Sequence, residues 1–201
     1  MKFKIFFIAL FVNLTVFLFG PYQAMAKYEE PKYDIISKSG DIEIRRYPEL
    51  VAATVSVSGS RKSSADEAFM VLAGYIFGKN TSKKSGQKEK IEMTTPVAMK
   101  EETSQMEMTF FMPSKYQVDS LPKPLDDRIV LSKVPGRTVA SIRFSGIADN
   151  KSVKDQKEKL VRFLEKNSTK HSSEHFVAVY NPPWTLPFLR RNEIWIKTDL
   201  P

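Results

Sequence analysis

The stretch PELVAATVSVSG, residues 48–59, decides the fold because the chain contains it a second time in altered form. It aligns without gaps on PGRTVASIRFSG, residues 135–146, which begins 87 residues later. At the same offset, Asn80 aligns with Asn167. Because one register holds over about fifty residues, the sequence predicts an internal duplication.

Each copy has the hydrophobic pattern of two strands, a helix and two more strands. Residues 42–47 and 51–58 alternate or are rich in β-branched side chains, as half-buried strands are. The following helix opens with the capping-box pattern Ser64-Ala65-Asp66-Glu67. The predicted strands are 42–47, 51–58, 89–100 and 106–112 in the first copy and 129–134, 138–145, 175–180 and 192–197 in the second, with helices over 64–76 and 151–166.

This order of elements predicts one α+β domain over residues 27–201, with pseudo-repeats at about 42–112 and 129–198. Neither half can bury both faces of a small sheet plus a helix, so the halves should pack together. The expected architecture is a distorted antiparallel β-barrel flanked by two helices, built from a duplicated strand-strand-helix-strand-strand unit. Asn80 and Asn167 fall at the helix ends, where asparagine tolerates the left-handed conformation that stops a helix.

The first 26 residues have the pattern of an export signal. Lys2 and Lys4 precede an apolar stretch over residues 5–19, and Ala24-Met25-Ala26 supplies the small residues at a cleavage site. The apolar stretch is short for a membrane span. We therefore expect cleavage after Ala26, a periplasmic or secreted protein, and no stable membrane insertion afterwards.

Composition excludes several classes of site. The chain has 201 residues, a formal net charge of +8 and no cysteine, so disulfides, thiolate metal sites and cysteine nucleophiles are excluded. Much of the positive charge lies at residues 83–90, where glycine and serine indicate a solvated loop. Aromatic residues are not interleaved with these lysines, so we expect no nucleic-acid partner.

The common catalytic motifs are missing from the sequence, including the nucleophile elbow, the phosphate loop and the zinc-protease helix. Two histidines, His171 and His175, have no cysteine or carboxylate cluster nearby, so they are weak metal candidates at most. The enzymatic alternative is a hydrolase that uses Glu92 with Tyr75 or Tyr180. Because no nucleophile–base pair is evident, we expect a binding protein rather than an enzyme.

Residues 181–192 are apolar and stiff without having a strand pattern. Two interpretations stay open: the loop folds back over the core, or it forms one wall of an apolar ligand pocket. Arg190 and Arg191 either pair with Glu193 or attract an anion. The large apolar side chains of this loop are Trp184, Leu186 and Phe188.

Six short motifs, taken in order, resemble the SOUL heme-binding family. They are IRRYP at 44–48, YIFGKN at 75–80, KIEMTTPV at 90–97, FSG at 144–146, YNPP at 180–183 and RNEIW at 191–195. The match spans about residues 33–197. The resemblance implies a duplicated α+β fold with two long helices. It also implies binding of heme b or another tetrapyrrole, non-covalently and reversibly, without turnover.

In that family the first helix lies beside the tetrapyrrole, and the loop equivalent to residues 180–188 is close by. The resemblance therefore implies a pocket between this helix and this loop, with basic residues just ahead of the helix. The implied binding residues are Phe69, Met70 and Ala73 on the helix, Trp184, Leu186 and Phe188 in the loop, and Arg61 and Lys62 ahead of the helix, whereas Leu72 and Ile76 are expected in the core.

The sequence departs from the family pattern at two places. Some relatives have a histidine, proposed as an iron ligand, where this chain has Arg46. Others have basic residues for the propionates at positions matching Asp66 and Gly74, and near Thr185. Because the apolar macrocycle face contributes about 10 kcal/mol and exposed ion pairs about 0 to 1 kcal/mol, we expect binding to survive without a strong protein ligand to iron.

The leading functional prediction is an exported tetrapyrrole binder that acts as a buffer, carrier or sensor, with heme or porphyrin as its partner and a monomeric state. The alternative keeps the fold but places another amphipathic small molecule, or a partner helix, in the groove between the two halves. A hydrolase or a heme-processing enzyme is the least favoured alternative.

Overall fold

The computed structural model describes residues 28–59, 61–101 and 105–200, without the side chains of Arg61 and Lys62. The predicted export signal lies outside the described residues. Neither described helix is long and apolar enough to span a membrane. In chain order the elements are β1 (Asp34–Ser39), β2 (Ile42–Tyr47), β3 (Leu50–Ser58), α1 (Arg61–Ile76), β4 (Asn80–Thr81), β5 (Val97–Glu101), β6 (Gln105–Phe111), β7 (Lys123–Pro124), β8 (Val130–Val134), β9 (Arg137–Phe144), α2 (Asn150–Lys166), β10 (Phe176–Val179) and β11 (Asn192–Thr198), with 3-10 turns at Val118–Ser120 and Pro187–Leu189.

Two of the predicted boundaries are wrong. The strand predicted over 89–100 begins only at Val97, directly after Pro96, because proline has no N–H to give to a sheet ladder. The helix predicted to open at Ser64 begins at Arg61, so Ser64 lies inside α1 and not at its cap. The hydroxyl of Ser64 is buried and has no hydrogen-bond partner among the described residues.

Within the described residues, nine strands form one antiparallel sheet in the order β1-β2-β9-β11-β10-β5-β6-β3-β8, and β4 pairs with β7 separately. The order β5-β6-β3-β8 on one side of the centre has the counterpart β10-β11-β9-β2 on the other. A duplicated unit whose copies exchange one strand would have this order. The duplication itself stays a prediction.

Two short turns force this sheet to curl. Pro48-Glu49 joins β2 to β3, and Pro135-Gly136 joins β8 to β9, although each pair of strands lies six places apart in the sheet. Six strand spacings in a flat sheet measure about 29 Å, whereas a two-residue connection reaches about 11 Å. The sheet is therefore a strongly curled half-barrel, an open form of the predicted barrel.

The two turns also contact each other. A Cβ atom on Gly136 would lie 3.3 Å from the carbonyl oxygen of Tyr47 and 3.6 Å from the backbone nitrogen of Glu49. Beside the turns, Lys133 Nζ pairs with Glu49 Oε1 at 2.9 Å. Because backbone atoms of the first turn occupy the space that a side chain would need, glycine suits this position.

The two helices lie on the convex face of the half-barrel. Helix α1 packs on β3 and β6 through Leu72 and Tyr75, which are fully buried, and α2 packs on β9 and β11 through Leu160 and Leu164. The concave face has its own aromatic cluster, in which Trp195 lies 5.5 Å from Tyr47 and 6.2 Å from Phe111 between ring centroids. The sheet therefore separates two faces of different chemistry.

The asparagines at the helix ends have capping roles but not the predicted conformation. Asn80 is buried, and its Nδ2 donates to the carbonyl of Tyr75 at 2.6 Å and to that of Glu89 at 2.8 Å. Asn167 is the C-cap of α2. The left-handed conformation occurs instead at Gly78 and Ser168, with φ of 110° and 51°.

Glu193 on β11 is the polar centre of the concave face. It is fully buried. Its carboxylate accepts hydrogen bonds from Arg45 Nη1 (2.7 Å) and Nη2 (3.2 Å), Arg191 Nε (2.9 Å), Trp195 Nε1 (2.7 Å), Tyr180 Oη (2.9 Å) and Ser141 Oγ (3.0 Å). These donors come from β2, β9 and β11 and from the two ends of the β10–β11 loop. They surround one charge, which makes its burial tolerable.

The ionisation of Glu193 follows from the same contacts. Burial raises its pKa, but the hydrogen bond and charge of Arg45 and the charge of Arg191 outweigh burial and lower the pKa to about 2. The carboxylate therefore contributes stability in full above its ordinary pKa of about 4.3, and this contribution is lost as the pH falls toward 2.

We expect the Gly136→Ala variant to unfold at lower urea concentration, with a free energy of unfolding reduced by about 1 kcal/mol or more, because its Cβ meets rigid backbone. Gly74→Ala is the matched control. There the new Cβ would meet only the flexible side chain of Lys79, and alanine favours the helix by up to about 1 kcal/mol. Equal losses in both variants would contradict the turn contact.

We expect Glu193→Gln to lower the free energy of unfolding by about 3–5 kcal/mol, since Arg45 loses its buried counter-charge. The variant should also lose less stability than the wild-type protein between about pH 5 and pH 3. Urea titrations at several pH values measure both effects. Glu158→Gln, which removes an exposed carboxylate on α2, should cost less than about 1 kcal/mol. Parallel pH curves for wild type and Glu193→Gln would contradict the assignment.

Candidate functional site

A groove of about 820 Å³ lies between the two helices, over the middle of the sheet. We call it the interhelical groove. Helix α1 contributes Ala65, the β9–α2 connection contributes Ile147, and α2 contributes Val153. Met99, Met106 and Val177 supply apolar side chains from the strands. Its volume lies within the range of about 300–1,000 Å³ that is typical of small-molecule sites.

The register of β5 and β10 places the floor of the groove. Val177 lies opposite Met99, and Ala178 opposite Ala98. Met99 and Val177 belong to the clusters under the helices, whereas the two alanines belong to the concave cluster. Because alternate residues of a strand face opposite sides, the groove receives the larger side chain from each strand.

The rim of the groove carries both signs of charge. Asp149 caps α2 by accepting a hydrogen bond from the Ser152 N–H at 2.8 Å, and this backbone bond lowers the pKa of the carboxyl. Asp66 and Glu101 also border the groove. Lys151 borders it too and pairs with Asp155 at 3.0 Å. The rim therefore contributes little net attraction for an anion.

The two histidines lie in different places. His175 lines the interhelical groove. His171 pairs by a β-bridge with Thr198, and its Nδ1 lies 2.9 Å from the carbonyl oxygen of Ser172. In the part of the chain that the structure describes, no three potential metal ligands cluster closely enough to hold an ion.

Helix α1 divides its predicted binding residues between two sides. Phe69 is 38% exposed and stacks edge to face on Phe110 at 5.6 Å. It lies one turn beyond Ala65, which lines the groove, but it is not itself among the lining residues. Ala73, one turn further, is buried. Met70 instead borders a separate depression beside Arg128. The side chains of Arg61 and Lys62, at the start of the helix, lie outside the described residues.

The loop between β10 and β11 does not fold back over the core. Its large side chains face solvent: Trp184 is 82% exposed, Leu186 55% and Phe188 70%. Its backbone is nevertheless held, because Arg190 donates to the carbonyls of Thr185 and Pro183. The interpretation as a cover of the core is therefore wrong for these side chains.

The same loop contacts the β9–α2 connection next to the groove, but its residues are not among those that line the groove. The Gly146 N–H donates to the carbonyl of Pro187 at 2.9 Å, directly beside Ile147, which lines the groove and is 58% exposed. Arg191 pairs with Glu193 at 2.8 Å and with Glu30 at 3.0 Å, so the predicted salt bridge is confirmed for this arginine.

The residues named for a hydrolase do not form a catalytic pair. Glu92 is exposed and pairs with Lys115 at 3.0 Å. The hydroxyl of Tyr75 donates to the carbonyl of Pro122, and that of Tyr180 donates to Glu193. Neither hydroxyl is bonded to Glu92.

Sequence reasoning missed the floor and one rim of the groove, which include Met99, Met106, Ile147 and Val153. Met106 and Met108 lie two residues apart on β6, which indicates that they share one face of the strand. The sequence does not indicate which residues of the two halves line a common groove, because that depends on how the halves pair. Ile147 follows Gly146, which ends the aligned stretch 135–146, and this position was the available signal.

Three solved structures are similar to the chain in fold. The C-terminal domain of EcmrR has a TM-score of 0.60 at 11% identity, and the alignment covers 83% of this chain and 98% of that domain. A hydrolase from Listeria innocua gives 0.56 at 9% identity, with 82% and 94% covered. An uncharacterized conserved protein from Listeria innocua gives 0.57 at 11% identity, with 81% and 94% covered. At these identities the likeness concerns the fold alone.

No curated protein matches the chain by sequence. The family model described as SOUL heme-binding protein matches residues 28–197, which is most of the chain and includes all six motifs. The chain is therefore a member of the SOUL heme-binding protein family.

Proposed function

We propose that this protein binds heme or a related tetrapyrrole in the interhelical groove, reversibly and without catalysing a reaction. The family match over residues 28–197 is the observation that carries the ligand class. The open groove between α1 and α2 supports the location. The export pattern of residues 1–26 supports a role outside the cytoplasm as a buffer, carrier or sensor.

Apolar contact is the main source of the proposed affinity. The groove offers Met99, Met106 and Val177 to a flat macrocycle, with Ile147 and Ala65 at its sides. Burial of several hundred Å² of porphyrin face contributes about 10 kcal/mol before ordering costs. Micromolar affinity corresponds to about 8 kcal/mol, so the groove needs no strong ionic contact.

The exposed loop supplies the outer wall in this proposal. Trp184, Leu186 and Phe188 present apolar surface to water although their backbone is ordered by Arg190. Such surface at the edge of a groove is typical of a ligand site. In this proposal Phe69, one turn beyond the groove-lining Ala65, extends the opposite wall on α1, and the strands contribute the floor.

In the same proposal, ligation of the iron contributes little to the affinity. His175 is the histidine that lines the groove, and it belongs to no cluster of three potential metal ligands among the described residues. Heme would supply its redox-active iron, while the chain would hold the macrocycle and exclude water from its apolar faces.

The direct test is a titration of the mature protein with hemin, followed by the Soret band and by quenching of the fluorescence of its two tryptophans. We expect a saturable Soret shift. Ala65→Trp should fill the groove and weaken hemin binding about tenfold or more, as loss of roughly 60 Å² of apolar contact predicts. Met70→Trp, on the other side of the same helix, should bind hemin like the wild type. A flat titration at tens of micromolar, or equal effects of both tryptophans, would overturn the proposal.

A second test concerns the iron. Protoporphyrin IX should bind within about tenfold of hemin, and His175→Ala should change hemin affinity by less than about tenfold, because apolar contact dominates. Absorbance titrations of both ligands against both proteins measure this. A much larger preference for the iron form that disappears in His175→Ala would identify His175 as an axial ligand and contradict the minor role of iron.

A further inference from the structure

The concave face of the half-barrel holds a cleft of about 720 Å³, on the side of the sheet away from the helices. We call it the concave cleft. Strands β8 and β9, far apart in sheet order, both line it, because the sheet curls. Phe111, Phe176 and Trp195 give it three aromatic surfaces. The cleft therefore offers apolar contact that is separate from the interhelical groove.

Arg137 lies in this cleft at the start of β9, directly after the turn residue Gly136. Its Nη1 is buried and has no hydrogen-bond partner among the described residues. The other arginines of the concave side have acceptors: Arg45 and Arg191 bind Glu193, and Arg128 binds Asp126 and Glu67. A buried donor without an acceptor is costly, and native proteins rarely retain one without a reason.

In the part of the chain that the structure describes, no carboxylate is paired with Arg137, although two carboxylates line the same cleft. Burial lowers the pKa of Arg137, and the hydroxyl of Tyr47 is the group that opposes this effect. An arginine nevertheless stays protonated at neutral pH. Lys197 is a further cation of the cleft, whereas the carboxylate of Glu174 is paired with Lys100 at 3.2 Å. Glu107 also lines the cleft.

We propose that the concave cleft is a second binding site, which takes an amphipathic anion. The apolar or aromatic body of the ligand lies against Trp195, Phe111 and Phe176. Its carboxylate, sulfonate or phosphate accepts hydrogen bonds from the Arg137 guanidinium, whose planar fork suits such groups. This site lies on the opposite face of the sheet from the groove, so it does not depend on tetrapyrrole binding.

The test uses two probes with the same aromatic body. 8-Anilinonaphthalene-1-sulfonate carries an anion, and N-phenyl-1-naphthylamine does not. In a Trp184→Phe background, Trp195 is the one remaining tryptophan of the two in the sequence, so its quenching reports on the cleft. We expect both probes to quench Trp195, and the sulfonate to bind more tightly.

Removal of the Arg137 guanidinium should weaken binding of the anionic probe and not of the neutral one. Arg137→Gln should weaken binding of the sulfonate about tenfold or more, the loss expected for a charge-assisted hydrogen bond, and leave the neutral probe unchanged. Arg137→Lys should bind the sulfonate with intermediate affinity, because lysine keeps the charge without the fork. Lys197→Gln, at an exposed position of the same cleft, is the matched control and should have a smaller effect.

Stability gives an independent readout. Because Nη1 has no partner in the described residues, Arg137→Gln should melt at the same temperature as the wild type or higher. Failure of this variant to fold would contradict the proposal, since the arginine would then serve the fold. Equal binding of the sulfonate by wild type and Arg137→Gln would also overturn it. So would a loss of sulfonate binding in Ala65→Phe, which alters the groove alone and adds no tryptophan.

Discussion

The contact between two turns determines the rest of this structure. Pro48-Glu49 and Pro135-Gly136 each connect strands that lie six places apart in the sheet, and the two connections pack against each other. Such short connections are possible only because the sheet bends until distant strands meet. The bend produces an inner and an outer face, and the helices cover the outer one. The positions of the groove and the cleft therefore follow from turns that line neither of them.

The two faces of the sheet differ in where their charged side chains lie. On the inner face, Glu193 accepts hydrogen bonds from three strands and from the ends of the β10–β11 loop, all inside the fold. The outer face has an apolar floor between the helices, with charges of both signs at its rim. Arg137 is the exception on the inner face, because Nη1 has no acceptor among the described residues. Because the buried carboxylate of Glu193 is fully hydrogen-bonded, the buried Arg137 Nη1 without an acceptor is the feature that supports a ligand site.

Strand and helix positions could be predicted because their patterns are local. Apolar and polar residues alternate over 42–47, and α2 has one apolar stripe, so the strand and the helix could both be predicted from residue spacing alone.

The parts of the structure that the sequence did not predict depend on long-range pairing. β1 is exposed along its whole length and has no apolar pattern; it forms by pairing with β2. The predicted pocket residues on α1 were divided between two sides because Phe69 and Met70 are adjacent in sequence and so point about 100° apart on a helix. Met99 and Val177 meet across the centre of the sheet, which no local window contains.

Asn80 shows how the fold limits later chemistry on the chain. It begins the acceptor pattern Asn80-Thr81-Ser82, which a eukaryotic secretory pathway recognises for attachment of a glycan. The sugar would be joined to Nδ2, the atom that donates to the carbonyls of Tyr75 and Glu89 in a side chain that is 1% exposed. A glycosylated Asn80 is thus incompatible with the folded end of α1. The corresponding pattern at Asn167 lies on an exposed helix end, where Nδ2 donates to one carbonyl, that of Phe163 at 2.7 Å. Because a glycosylated amide keeps one N–H, a sugar at Asn167 is compatible with that hydrogen bond.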